Sequence, residues 1–307
     1  MPSFSRWQEK QVNNINQILG NIMEYKDFIT PFQDPLTNEP LTFALKNVFE
    51  QNKVIKIDNT NIEFNIIDYF YEKPRPGDEE NTMRTTRIYP VSGFLIIFSD
   101  GKNTQFIMDK RGNTALTFLR KINNCKGRGE IENHPIKVNE DFFIWMIDKV
   151  LNNIDDSLDE SVHLKVNKII GFKGSSEDKL AEVTGLGNRI MNVLSTLAFL
   201  FEMEGVNRIN PRIEYGKHTL EVMLDVQGYI NINLDTYIGD FLSLDPKEQS
   251  ARVILLTYLE IFPRLLTSYS NDIENELWSQ DKKIQFFNDI GNDIQNKIDE
   301  KISSVTN

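Results

Sequence analysis

Three carboxylates and a histidine carry the first chemistry this chain offers. From Arg208 to Asp235 three runs alternate apolar and polar residues, the pattern of a half-buried antiparallel meander. Gly216 and Lys217 form a two-residue turn with glycine in the first central position, which sets Ile213 opposite Leu220 and Arg212 opposite Glu221. A three-residue loop, Gln227 to Tyr229, then pairs Val226 with Ile230, Leu224 with Ile232 and Val222 with Leu234. In that register Arg212, Glu221 and Asp235 stand in a row on the polar face. Facing carboxylates repel unless a cation offsets them. A divalent metal on Glu221, Asp225 and Asp235, with His218 or Lys217 nearby, would serve a nuclease or phosphodiesterase. The preferred reading is plainer: Arg212 neutralises the pair on a solvated face, and no cofactor is needed.

The second chemical signal is a basic stretch. Lys110, Arg111, Arg120, Lys121, Lys126 and Arg128 follow one another with no acid from Lys110 to Gly129, and Arg84, Arg87 and Lys102 precede them. Such a run contacts nucleic-acid phosphates or an acidic protein surface. No aromatic residues interleave with it in the sequence, which argues against stacking on single strands. Thr184-Gly185-Leu186-Gly187-Asn188 opens a helix but matches neither the Walker lysine spacing nor G-x-G-x-x-G, so a tight turn explains it. A single cysteine and three histidines exclude a Cys/His zinc cluster and an internal disulfide.

The elements that must position these residues are helices and hairpins. Ser3 or Ser5 caps a first expected helix with Trp7, Val12, Ile15, Leu19 and Ile22 on one face, and a second short helix starts at Leu41. Val54 to Asp58 and Ile62 to Tyr71 read as a hairpin, and Pro74 to Thr86 as an exposed mobile loop. Phe94 to Phe98 reads as a buried strand that returns through Asp100-Gly101 to Thr104–Met108. Helices follow from Asn113 or Thr114 to Asn123 and from Glu140 to Leu151. His163 to Phe172 is a strand, and Asn188 to Glu204 is a helix apolar nearly all round, onto which the meander should pack. Asp245, Pro246 and Glu248 start a further helix that Pro263 should kink or break. The tail is an amphipathic helix over 281–303, whose stripe of Phe287, Ile290, Ile294 and Ile298 suits docking or pairing with a second copy.

The fold expectation is therefore α+β in two lobes, 1–154 and 155–307, with antiparallel hairpins and meanders packed with helices and an amphipathic C-terminal helix. The net charge of −11 lies almost wholly in the second half: 1–150 carries 19 basic and 20 acidic residues. Such a half repels polyanions and suits a basic protein partner. No apolar run approaches membrane-spanning length and no signal pattern opens the chain, so a cytoplasmic protein is expected. Richness in Asn, Ile and Lys is that of an AT-rich bacterial or phage genome. With no triad, zinc cluster or phosphate loop, the function expected is non-enzymatic: binding another macromolecule, or self-assembly, as a bacterial or phage accessory protein.

Overall fold

In the computed structural model, residues 3–12, 14–127, 129–152, 156–175, 182–186 and 205–306 are described. Helices and antiparallel sheet both contribute, so the chain is α+β. It divides into two compact units, 2–135 and 136–307. The expected boundary at 154/155 falls later, after the helix Glu140–Asn152, which this division groups with the C-terminal unit.

The N-terminal unit is built on β1 (Ser3–Glu9), β2 (Phe43–Asn47), β3 (Lys53–Ile57), β4 (Thr60–Pro74), β5 (Ile88–Ser99), β6 (Thr104–Met108) and β7 (Ile131–Asn133). The sheet runs β2-β4-β5-β6-β1, with β3 also on β4 and β7 also on β1. Helices α1 (Ile15–Met23) and α3 (Gly112–Ile122) lie on one face; between them in sequence is the single turn α2 (Arg84–Arg87). Ile15, Ile18, Leu19 and Ile22 meet Ala115, Phe118, Leu119 and Ile122 over Ile67, Tyr69, Leu95, Ile97, Phe106 and Met108, which form one buried core. This is the sheet period of two meeting the helix period of 3.6, each giving one apolar face.

Two expected helices are strands. Ser3–Glu9 pairs with β6 on one side (Trp7 with Phe106) and β7 on the other (Trp7 with Asn133). Its side chains are buried on both faces, Phe4 and Trp7 among them, and ladders on both sides satisfy a backbone that the Ser caps alone would not. The helix begins only at Ile15, where the Asn14 side chain accepts from the Asn16 and Gln17 amides. The segment after Leu41 is β2, drawn into register by β4 from Phe43–Tyr71 to Asn47–Ile67. In both places strand pairing overrode a weak helical pattern. The Pro74–Thr86 loop is tied at its end: Arg87, almost wholly buried, forms a two-pronged pair with Asp34 at 2.8 Å and also donates to the Asn81 and Thr82 carbonyls.

The C-terminal unit holds α4 (Glu140–Asn152) and strands β8 (Leu164–Ser175), β9 (Glu182–Leu186), β10 (Gly205–Tyr215), β11 (His218–Asp225) and β12 (Ile230–Ile238), in the order β12-β11-β10-β8-β9. Ile209, Ile213, Leu220, Val222, Leu224, Ile230 and Ile232 form its buried apolar face. The helix expected over Asn188–Glu204, which was to cover that face, lies outside the described residues. α5 (Pro246–Leu256) starts as expected, with the Asp245 carboxylate accepting from the Lys247 amide at 2.9 Å. Pro263 does not break the path. A π turn at Thr257–Ile261 carries the chain into α6 (Phe262–Glu274), and this widened turn directly precedes Pro263, the place where a helical path must accommodate a proline ring. The Asp141 carboxylate accepts from Tyr269 (2.7 Å), Trp278 (2.8 Å) and Lys283 (2.8 Å), tying α4 to α6 and to α7 (Gln280–Thr306).

A candidate binding face on the N-terminal unit

The meander does not place its carboxylates as the sequence reading drew them. β10 and β11 pair as expected, Ile213 with Leu220 and Arg212 with Glu221. The second turn is longer: Leu224 faces Ile230, Val222 faces Ile232 and Glu221 faces Asn233. The Asp225 carboxylate causes this by accepting from the Gln227 and Tyr229 amides, with Gly228 at φ +79°. A shift of two residues keeps the apolar face intact but moves Asp235 away from Glu221, into a bulged and exposed part of β12. Glu221 is instead approached by Arg212 and by the Asn233 amide, both at 3.4 Å. Among the described residues no group of three or more His, Cys, Asp or Glu side chains is arranged to hold a metal. His218 shares a 2.7 Å hydrogen bond with the Tyr237 hydroxyl, and burial pushes its pKa down. Lys217 is exposed, 4.0 Å from Asp240.

The basic stretch is dispersed by the fold. Lys110 stands 5.0 Å over the Tyr69 ring, Arg120 turns back onto the Gly127 carbonyl, and Arg111 and Lys126 are exposed. Arg128 lies outside the described residues. Lys121 alone enters a cavity, of about 370 Å³. Its floor is aromatic: Phe32, Phe43, Tyr71 and Phe118 line it, and Lys73 is the second cation. Asn113, Thr114 and Thr117 from the start of α3 complete the wall, and no carboxylate contributes. Tail residues Phe287 and Ile294 are half-buried, Ile290 is buried and Ile298 is 40% exposed.

The cavity exists because β4 and β5 are long. Their ladder runs from Glu63–Ser99 to Pro74–Ile88, and along β4 the fully buried core under α1 and α3 gives way after Tyr69 to partly buried residues. Alternation continues along both strands, so Tyr71, Lys73, Tyr89 and Val91 stay on the side that carries α3, with Phe118 of α3 stacked on Tyr71. β2 adds Phe43 beside Tyr71, and the 30–41 loop adds Phe32, 45% exposed. The rings of Phe43, Tyr71 and Phe118 lie within 22–29° of parallel, with centroids 5.7–6.4 Å apart. The Lys121 ammonium sits 5.0 Å from the Phe43 centroid and 5.1 Å from that of Phe32, and has no carboxylate partner among the described residues. Burial pushes its pKa down and that of the Tyr71 hydroxyl up. Lys73 and Arg75 stand 5.0 and 5.2 Å over Tyr89, extending the alternation of cation and ring along β4.

Aromatic side chains thus do interleave with cations here, contrary to the sequence reading, because Phe32, Phe43 and Tyr71 come from elements far from the basic stretch. The one local signal was the period-two run Tyr69, Tyr71, Lys73, too long to end where a covering helix ends. No protein-family model and no curated protein matches the chain.

Proposed function

We propose that this chain is a non-enzymatic binding protein whose N-terminal unit captures a polyanionic macromolecule on the open end of its sheet. One observation carries this reading: two lysines share a ring-floored cavity to which no carboxylate contributes. A half-buried ammonium held against rings has no carboxylate beside it among the described residues, and a bound anion would supply the counter-charge. The cavity lining offers lysines, hydroxyls and an amide, the inventory of a seat, with no acid–base pair to cleave a bond. Metal-assisted hydrolysis at Glu221, Asp225 and Asp235 is less well supported, since Asp225 is engaged in its own loop and Asp235 is not opposite Glu221. A cytoplasmic location and a bacterial or phage accessory role belong to the same proposal and rest on composition.

Elution from a heparin column tests it. The wild-type chain should be retained at low salt despite its net charge of −11, and Lys73→Glu with Lys121→Glu should elute much earlier. Lys56→Glu, an exposed charge reversal on β3, is the control and should leave retention nearly unchanged. Equal elution of the double variant and the wild type would remove the cavity from the reading.

A further inference from the structure

We infer that the open end of the β4–β5 face is a seat for single-stranded nucleic acid, with bases stacked on Phe32, Phe43 and Tyr71 and phosphates held by Lys73 and Lys121. This rests on the polyanion reading of that face and names the ligand class. The rings supply the discrimination. An acidic peptide or a sulfated glycan would use the lysines and leave the aromatic floor idle, whereas every nucleobase has a π-face to lay on it. The Phe43, Tyr71 and Phe118 planes, within 30° of each other, are the arrangement to which a further flat ring adds by offset stacking. The cavity of about 370 Å³ is of the size of a small-ligand site, on the order of a single nucleotide.

A polymer fits better than a free nucleotide because the pattern repeats. Tyr89, with Lys73 and Arg75 over its ring, lies opposite Lys73 on the neighbouring strand and continues the track beyond the cavity. Bases inside a duplex are covered by their neighbours, so a floor of rings reaches only unpaired ones. α3 also begins beside the cavity, and its N-cap residue Arg111 makes no side-chain capping bond. The first-turn N–H groups there favour negative charge next to Asn113 and Thr114.

The test is fluorescence anisotropy of the full chain with a short labelled oligothymidylate, the same strand annealed to oligoadenylate, and a labelled oligoglutamate of similar charge. The single strand should bind at least about tenfold tighter than the other two. Phe32→Ala, at an exposed loop position that leaves the core untouched, and Tyr71→Ala should each weaken it by about tenfold, the effect of one lost base–ring stack. Lys121→Gln should reduce the slope of log affinity against log salt by about 0.7. Equal affinity for all three probes would overturn the single-strand seat while leaving the polyanion reading. Tight single-strand binding indifferent to all three substitutions would place the strand elsewhere and equally overturn it. Binding of no probe at low salt would remove both.

Discussion

Gly93 shows how one residue shapes the floor of the binding face. It lies opposite Tyr69 in the β4–β5 ladder, and a Cβ there would meet the Asp109 carboxylate at 2.0 Å and the Tyr69 hydroxyl at 2.2 Å. The Tyr69 hydroxyl donates to Asp109, whose other oxygen accepts from the Phe94 amide. Burial pushes the pKa of both Tyr69 and Asp109 up. Tyr69 cannot swing aside cheaply, since its ring is 4.6 Å from that of Phe118 and almost wholly buried. Gly93→Ala should therefore cost about 2 kcal/mol or more in denaturant unfolding, as overpacking of a tight site does. A loss below about 0.5 kcal/mol would show that the Tyr69–Asp109 pair yields freely. Nothing in the sequence marks Gly93, because its constraint comes from Tyr69 on β4 and from Asp109 just past β6.

Among the elements, α7 leaves a line of large apolar side chains exposed toward its C-terminal end. Asp141 and Lys283 secure its first turns, and Phe286 and Ile290 are buried. Beyond Ile294 the same stripe is open, with Ile298 40%, Ile302 59% and Val305 77% exposed. Exposed apolar side chains in line along a helix are the usual signature of an association surface. The self-association proposed from the sequence belongs here. Sedimentation at high protein concentration should give a mass above the 35.6 kDa of one chain, and Ile302→Glu with Val305→Glu should return it to that value. A monomer throughout would leave the stripe without this role. The tail helix and its stripe were legible from spacing alone. Which of its turns are covered was not, since that depends on where α4 and α6 end.

For the whole molecule, charge sets the response to conditions. Residues 2–135 carry 17 basic and 17 acidic side chains, so the excess of −11 belongs to the rest. Attraction at Lys73 and Lys121 is therefore local, acting against a net repulsion that salt screens. Acid response follows the paired carboxylates. Asp34 is held down to about 2 by Arg87, and Glu72, Asp141 and Asp159 are also lowered, by hydrogen bonds and nearby cations acting against burial. A carboxyl whose folded value lies below its unfolded one, near 4, stabilises fully above that pH and less as pH falls through the folded value. Asp109 and Asp148, raised by burial, act in the opposite sense and are fewer. The thermal midpoint should hold from pH 7 to about 5 and fall steeply between about 4 and 2. Asp34→Asn should lower it at pH 7 and flatten the acid limb; an unchanged profile would show that the Asp34–Arg87 pair does not couple to folding.

By itself the sequence determined what is local and periodic. The α+β class, the hairpins at Asp100-Gly101 and Gly216-Lys217, the start of α5 and the tail helix all follow from residue spacing and from turn and cap chemistry within a few positions. Tertiary structure decided what depends on distant partners. Ser3–Glu9 became a strand because two other strands flank it, and the Asp225 loop moved Glu221 two residues out of the expected row. The cation–ring cavity brings Phe32, Phe43 and the β4 pair Tyr71 and Lys73 to Lys121 of α3, segments distant in sequence that meet only because β4 and β5 run on beyond the fully buried core. Periodicity records which side of an element is apolar, whereas a binding face depends on where one element stops covering another, and that length mismatch exists only once the chain has packed.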